Sequence, residues 1–267
     1  MNIYNTDNIE ITNDNSIHSK VQNEPCLNSF SSDINGITIL IALYNGVQYL
    51  EQSVTSVINQ TYGKWQLIIG INGYSQNSDV EKQANITINT LNLEKKYNII
   101  VKYYSTQGKA NTLNAMVCDA EYNHIAILDV DDIWVPNKLE LQIPYLNEYD
   151  VVGGKCEYFG DKTGSPPIPL GDITHTHNIF DYNPVINSSV IINKKYAFWD
   201  DENFVKPVAG LDDYNLWFKL FFLKKKFYNI DTVLCHHRLH IDSAFNYKCA
   251  NNVDILKQLW NQYYNNN

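Results

Sequence analysis

The sequence lacks any apolar run close to the roughly 20 residues that cross a membrane. Its first segment, MNIYNTDNIEITND, is polar and acidic, so it does not resemble a secretory signal. Basic residues are outnumbered: 20 Lys and Arg face 29 Asp and Glu, which gives a net charge of −9. This balance argues against nucleic acid as a partner, because duplex binding draws on a clustered basic surface. Together these absences predict a cytoplasmic protein without a transmembrane segment.

Cysteine is scarce, and the cysteines are not spaced like the ligands of a metal ion. The five cysteines are widely separated and include no CxxC pair, so they indicate neither a zinc site nor a disulfide framework. A reducing compartment suits such a set. With 267 residues, the chain is long enough to bury a large core without cross-links.

The first half of the chain alternates short apolar strands with helix-length amphipathic segments. Residues 1–35 have no sustained periodicity and are predicted to form a flexible arm. Strands are predicted at residues 37–44, 66–71, 99–104 and 124–128, and helices at residues 47–59, 80–93 and 110–118. This alternation is typical of an α/β fold with a mostly parallel sheet and helices on both faces.

The second half has a different pattern, which predicts a smaller α+β portion added to the same sheet. Its apolar runs and loop signals give the following segments: a helix at 136–146, a strand at 151–160, an extended loop at 163–171, a strand at 187–193, a helical segment at 194–199, a helix at 211–226, a strand at 228–240 and a final helix at 253–264.

Carboxylates follow the fourth predicted strand, in the segment HIAILDVDDIWVPNKLE. Ligands of open α/β sheets bind outside the carboxyl ends of the strands, so Asp129 and Asp131 are predicted to line a crevice. A carboxylate pair suits Mg²⁺ or Mn²⁺, which prefer oxygen ligands. Taken alone, such a pair is more often part of a polar loop, and Asp132 is predicted to cap the next helix.

A second signal lies at the start of the helix predicted at 110–118. The stretch QGKANTLNAM places Lys109 where backbone N–H groups and an ammonium favour an anionic phosphate. A solvated lysine in the first turn is the alternative interpretation. Because Lys109 and Asp129 follow two strands of one sheet, they are predicted to share one crevice.

Six segments follow, in order and spacing, the signature of glycosyltransferase family 2, and the sequence resembles that family over residues 36–245. They are ITILIALYNGVQYLEQSVTSVINQTY, LIIGINGYSQNS, GKANTLNAM, HIAILDVDDIWVPNKLE, LDDYNLWFKL and HHRLHIDSA. The resemblance implies the GT-A fold, a nucleotide-diphosphate-sugar donor and inversion at the anomeric centre. Residues 36–150 are then the expected nucleotide-sugar-binding half and residues 151–250 the acceptor-binding and catalytic half, while residues 251–267 are predicted from their own pattern to form a C-terminal helix and tail.

The resemblance also implies a set of substrate-binding residues. The first nucleotide-binding loop corresponds to Ala42, Leu43, Tyr44 and Asn45, with Tyr44 near the base. Asn72 lies in the loop that recognises the base. Lys109, Asp129, Val130 and Arg238 complete the set of expected donor contacts.

The catalytic and metal-binding residues are implied in the same way. Asp129 and Asp131 correspond to the DxD pair that holds Mn²⁺ or Mg²⁺, and His240 of the late R-x-H element is a third expected ligand. Asp213 corresponds to the catalytic base, which would accept the proton of the acceptor hydroxyl. Asp212 is expected to act as a helix cap or as support for Asp213.

Four positions depart from the family pattern. Ala42 replaces a common Pro, Asp212 replaces a common Glu, and Ile71 and Asn72 replace two acidic residues of the base-binding loop. An amide accepts and donates hydrogen bonds, whereas a carboxylate only accepts them, so the base stays open. A UDP-sugar is the leading donor, with dTDP- and GDP-sugars behind it.

Several alternatives remain open at the level of sequence. The chain is predicted to be an active, metal-assisted inverting glycosyltransferase, but a sugar-nucleotide-binding protein without turnover is the second hypothesis. A nucleotidyltransferase is the third, although ALYNGVQY is not the Gly-rich loop that such enzymes carry after the first strand. The acceptor can be a glycan, a lipid-linked molecule or a protein, and a homodimer is one of the open oligomeric states.

Overall fold

The computed structural model describes residues 36–106, 108–175, 178–201, 203–240 and 250–266. The predicted N-terminal arm and the end of the last family segment, residues 241–244, lie outside the described residues. Within them, one mixed sheet runs through both halves of the chain.

The sheet has nine strands in the order β3-β2-β1-β4-β8-β6-β9-β5, and β7 pairs with β9. Their bounds are β1 Ile37–Leu43, β2 Trp65–Ile71, β3 Ile99–Tyr103, β4 His124–Ile127, β5 Ile133–Trp134, β6 Val151–Gly160, β7 Gly171–Asp172, β8 Ile191–Asn193 and β9 Phe227–Leu239. Strands β3, β2, β1 and β4 are parallel, as are β6 and β9. The antiparallel pairs of β8 with β4 and β6 are short and join the two parallel parts.

Helices cover both faces of this sheet. In the described residues, the α-helices are α1 Leu50–Ile58, α2 Asp79–Leu91, α3 Lys109–Cys118, α4 Lys138–Gln142, α5 Asp212–Phe222 and α6 Ala250–Asn266. Along β1, Ile39 and Ile41 face a core with α1 and α2, whereas Leu40 faces a second core with α3, α5 and α6. This two-residue alternation is the strand periodicity that the sequence prediction used.

The structure corrects several predicted elements. The predicted helices at 47–59 and 136–146 each divide into an α-helix and a short 3-10 turn, and the segment 194–199 forms only the 3-10 turn Lys194–Tyr196. The first three residues of the predicted strand 187–193 form another such turn, Asn187–Ser189. The two-residue strands β5 and β7 lie in predicted loops. Periodicity could not reveal them, because two residues are too few to establish a period.

An aromatic cluster fixes α5, the helix that carries Asp213. Trp260 of α6 stacks against Phe218 and Phe222 of α5, with ring centroids 5.6 and 5.2 Å apart. Its indole Nε1 donates to Asn215 Oδ1 at 2.8 Å, so the buried N–H is satisfied. The C-terminal helix therefore supports the helix on which Asp213 lies.

Two further observations concern the predictions from composition. No helix of the described residues is long and apolar enough to cross a membrane. Cys156 and Cys235 are buried free thiols.

Candidate active site

The carboxyl ends of β1 and β2 carry an aromatic pair at the surface. The Tyr44 side chain is 53% exposed, and its ring centroid lies 5.5 Å from that of Tyr74. The Tyr74 hydroxyl donates to Asn45 Oδ1 at 3.2 Å. Gly73 has φ of +74°, and a Cβ there would lie 2.5 Å from the Tyr44 ring. Glycine is needed at this turn both for the backbone conformation and for the tyrosine.

Other predicted donor-binding residues lie beneath this surface. Leu43 is fully buried, and its carbonyl accepts the N–H of Asn72, which is 4% exposed. Val130 is 8% exposed and lies next to Gly46, while Ala42 is partly buried against the core. These residues lie below the surface, whereas Tyr44 and Asn45 are exposed.

Lys109 and Asp129 form an ion pair between the start of α3 and the end of β4. Lys109 Nζ donates to Asp129 Oδ1 at 2.6 Å, and the side chains are 41% and 26% exposed. Asn187 Nδ2 lies 3.2 and 3.1 Å from the two Asp129 oxygens, and Ser188 Oγ accepts the Asp129 N–H at 3.1 Å. Two side chains thus contact the carboxylate predicted to bind donor and metal, and a third holds the backbone of Asp129.

The charges in this part of the site are strongly coupled. Burial opposes ionisation, but the adjacent ammonium and the Asn187 amide hold the pKa of Asp129 below its usual range. Burial also disfavours the charged lysine, yet Asp129, Asp212 and Asp213 together raise the pKa of Lys109. Lys109 is therefore positively charged at neutral pH, and its charge interacts with three carboxylates.

Asp131 and His240 form a second pair in the site. His240 Nε2 lies 2.9 Å from Asp131 Oδ2, and the His240 ring is 5.4 Å from that of Tyr49. Burial, followed by the charges of Asp132 and Asp129, raises the pKa of Asp131. The local excess of negative charge favours a nearby cation.

Asp132 does not cap a helix, so that prediction was wrong. Its side chain is fully buried, and it accepts the Arg238 N–H at 2.8 Å and bonds His237 Nδ1 at 2.9 Å. Helix α4 instead begins after Asn137, without a side-chain cap. A buried carboxylate needs hydrogen-bonding partners, and the backbone and imidazole of β9 supply them. Asp132 therefore ties the loop after β4 to β9.

Arg238 is held in a fixed position beside this loop. Its guanidinium lies 4.5 Å from the Tyr49 ring and 4.2 Å from the Phe159 ring. Nε donates to the Asp131 carbonyl at 2.9 Å, and a second nitrogen donates to Gln52 Oε1 at 2.5 Å. The structure thus places the Arg238 guanidinium against the backbone of Asp131, and the expected contact of Arg238 with the donor stays a prediction.

Asp213 lies in the first turn of α5, partly buried. Asn183 Nδ2 donates to its Oδ2 at 3.1 Å. Burial and the Asp129 charge raise the pKa of Asp213, while Lys109, the Tyr214 N–H and the Asn183 amide act in the opposite direction. Burial likewise raises the pKa of Asp212, and the residue before it, Leu211, occupies the N-cap position, so Asp212 is not the cap.

The predicted three-ligand metal site is not assembled among the described residues. No group of three His, Cys, Asp or Glu side chains in that part of the chain could hold a metal ion. Asp131 and His240 are adjacent and offer the oxygen and nitrogen ligands that Mn²⁺ accepts. Asp129 is engaged by Lys109 and Asn187 instead. The residues therefore fit a cation at Asp131 and His240, and a third ligand would require Asp129 to exchange its partners.

Sequence reasoning missed the residues that hold the two principal carboxylates. Asn183, Asn187 and Ser188 lie in a segment that appeared to be a loop and a strand without a motif. Their partners, Asp213 and Asp129, are 30, 58 and 59 positions away along the chain. Asparagine is so abundant in this sequence that its presence gave no usable signal.

The fold and this arrangement of carboxylates define an α/β protein of the GT-A class. The chain superimposes on S. aureus TarS residues 1–349, solved in complex with UDP, with a TM-score of 0.61 at 15% identity, covering 84% of this chain and 65% of that one. Residues 38–199 match the family described as glycosyl transferase family 2, and the chain belongs to that family. The family and the fold class inferred from the sequence are both confirmed.

Two curated relatives extend the comparison. An uncharacterized glycosyltransferase of Rickettsia conorii is 23% identical over 240 residues, which is 85% of this chain but 38% of that protein. The chain thus spans well under half the length of that relative. The Escherichia coli UDP-Glc:alpha-D-GlcNAc-diphosphoundecaprenol beta-1,3-glucosyltransferase WfgD is 25% identical over 208 residues, covering 74% of this chain and 73% of that protein.

Proposed function

We propose that this chain is an inverting glycosyltransferase that moves a sugar from a nucleotide-diphosphate sugar to an acceptor hydroxyl. The observation that carries the proposal is the electrostatic grouping of Lys109 with Asp129, Asp212 and Asp213 beside the strand ends. Such a grouping combines a cation for a leaving diphosphate with a carboxylate for the attacking hydroxyl. Membership of glycosyl transferase family 2 supports the same reaction class.

The donor that we propose is a UDP-sugar. WfgD is named for UDP-Glc, and TarS was solved in complex with UDP, and both similarities support this choice of nucleotide. Tyr44 and Asn45, which are exposed, are the side chains available to contact a base and ribose. Tyr44 offers an exposed aromatic face for stacking.

In the proposed mechanism, Asp213 is the general base. The acceptor oxygen attacks the anomeric carbon, the bond from that carbon to the diphosphate oxygen breaks, and the acceptor proton passes to the Asp213 carboxylate. The leaving diphosphate gains negative charge, which the Lys109 ammonium and the N-terminus of α3 would stabilise. One displacement inverts the anomeric configuration.

A divalent cation, Mn²⁺ or Mg²⁺, is part of the proposal. Asp131 and His240 would hold it, and Asp129 is the neighbouring carboxylate. When bound, it would supply positive charge against the donor diphosphate. The raised pKa of Asp131 among its acidic neighbours is consistent with a position that favours a cation.

The test is a panel of nucleotide sugars with Mn²⁺ or Mg²⁺, in which release of nucleoside diphosphate is measured. Wild type is compared with Asp213→Asn, and Asp212→Asn is the matched control because it removes the adjacent carboxylate. We expect Asp213→Asn to lower turnover by about 10²- to 10⁴-fold, and Asp212→Asn to lower it far less. Full activity in Asp213→Asn would refute the base assignment.

The panel also separates the competing functions. Donor binding without turnover in wild type would support a sugar-nucleotide-binding protein rather than an enzyme. Formation of a nucleotide sugar from a nucleoside triphosphate and a sugar phosphate would identify a nucleotidyltransferase. Absence of both binding and turnover with every donor would overturn the proposal.

A further inference from the structure

We propose that Asn183 is a positioning residue for Asp213, holding the general base in its orientation for acceptor attack. This inference rests on the proposed function, in which Asp213 accepts the acceptor proton. Asn183 lies 30 positions before Asp213, and its Nδ2 donates to Asp213 Oδ2 at 3.1 Å.

The orientation of the Asn183 amide is fixed by a second contact. Its Oδ1 accepts the Val185 N–H at 3.2 Å, so the oxygen faces its own backbone and the NH₂ group faces the carboxylate. Turning the amide over would break this bond and bring an oxygen against the carboxylate. Asn183 therefore acts as a donor to Asp213.

A donor in this position does two things for a general base. It selects one orientation of the carboxylate, and it stabilises the ionised form, which alone can accept a proton. Burial raises the pKa of Asp213, and the hydrogen bond from Asn183 opposes that increase. A carboxylate offers about four lone-pair sites, so the bond from Asn183 leaves capacity for the acceptor hydroxyl.

The surrounding segment is suited to this task because it also holds Asp129. Asn187, four positions after Asn183, donates to both Asp129 oxygens, and Ser188 Oγ accepts the Asp129 N–H. Between them, Val185 is 1% exposed, and the Pro184 carbonyl accepts Asn229 Nδ2 at 2.8 Å. A single anchored segment thus contacts both the donor-side carboxylate and the base.

The variant Asn183→Asp separates a positioning role from a structural one. Its carboxylate oxygen can still accept the Val185 N–H, so the local turn is retained, but the donor to Asp213 becomes a repelling acceptor. The chain offers a matched control in Asn178, whose Nδ2 donates to Asp181 Oδ1 at 3.1 Å and whose Oδ1 accepts the Phe180 N–H at 3.2 Å. Asn178→Asp makes the same change outside the proposed site.

We expect Asn183→Asp to lower kcat by at least about tenfold at pH 7 and to shift the acidic limb of the pH–kcat profile upward. The dissociation constant for UDP should stay within about twofold of wild type. Asn178→Asp should leave the profile unchanged. Wild-type kcat and an unshifted profile in Asn183→Asp would overturn the proposal.

A donor-independent measurement keeps this test separate from that of the proposed function. The pKa of Asp213 can be followed by carboxyl ¹³C NMR, with the signal assigned by its loss in Asp213→Asn. An increase of about one unit in Asn183→Asp supports the contact, and an unchanged value overturns it. Failure of the proposed function would instead appear as wild type that turns over no donor.

Discussion

Replacing Asp132 by asparagine should destabilise the protein strongly at pH 6 and much less at pH 10. In wild type, burial opposes protonation of His237, but the hydrogen bond and charge of Asp132 raise its pKa to about 9. Unfolded histidine has a pKa of about 6.5. A group whose pKa is higher in the folded state stabilises the fold below its unfolded value and loses that effect as the pH passes its folded value.

The magnitude follows from the difference between the two pKa values. A shift from about 6.5 to about 9 corresponds to roughly 3 kcal/mol, fully present below pH 6 and nearly absent at pH 10. His237 is 21% exposed and Asp132 is fully buried, so solvent screens the pair only weakly. Asparagine can still accept the Arg238 N–H, but its amide cannot stabilise an imidazolium. We therefore expect the penalty of Asp132→Asn to fall by about 3 kcal/mol from pH 6 to pH 10.

Urea unfolding of wild type and variant at several pH values measures this difference. The quantity to follow is the difference in free energy of unfolding between the two proteins. Lys138 titrates in the same pH range in both, so its contribution cancels in that difference. The loss in free energy of unfolding caused by His237→Gln should depend on pH in the same way. In the double variant, the further loss caused by Asp132→Asn should be nearly independent of pH. A penalty for Asp132→Asn that stays constant from pH 6 to pH 10 would refute the reasoning.

Three further changes should have measurable effects. Lys109→Met should weaken UDP binding by about 10- to 100-fold in calorimetry, since a charged donor to phosphate is lost; unchanged affinity would contradict a phosphate contact. Ser188→Ala should lower the free energy of unfolding by about 1–3 kcal/mol, because the partly buried N–H of Asp129 loses its acceptor. A melting temperature equal to that of wild type would show that this N–H finds another partner. Burial lowers the pKa of Lys138 to about 7, below its unfolded value of about 10.4, so wild type loses stability as the pH falls from about 10 to about 7. In urea unfolding, the free energy of unfolding of Lys138→Met relative to that of wild type should therefore be higher at pH 6 than at pH 10. The opposite trend would show that the lysine is stabilised as a cation.

The sequence could predict the features that depend on short-range patterns. Alternation of strands with helices gave the parallel half of the sheet, because the faces of β1 and the stripes of α1 and α3 repeat over a few residues. The same local reasoning located Asp129 after a strand and Lys109 at the start of a helix. Since parallel strands end at one edge, their proximity followed without a structure.

Local reasoning failed where two interpretations of one residue compete. The position of Asp132 before Trp134 and Pro136 suggested a helix cap. In the structure, the loop after β4 meets β9, and His237 and the Arg238 N–H, 105 and 106 positions away, determine the role of Asp132 instead. Burial outweighs capping, since an unpaired buried carboxylate costs more than a missing cap.

By itself, therefore, the sequence determined the family, the α/β alternation and the position of the carboxylates after a strand, since each depends on local patterns and on their order along the chain. Only the tertiary structure decided which groups hold those carboxylates. Asn183 contacts Asp213 and Asn187 contacts Asp129 because β8 pairs antiparallel with β4 and brings their segment across the site. Such contacts depend on the packing of the whole chain, and no local pattern encodes them.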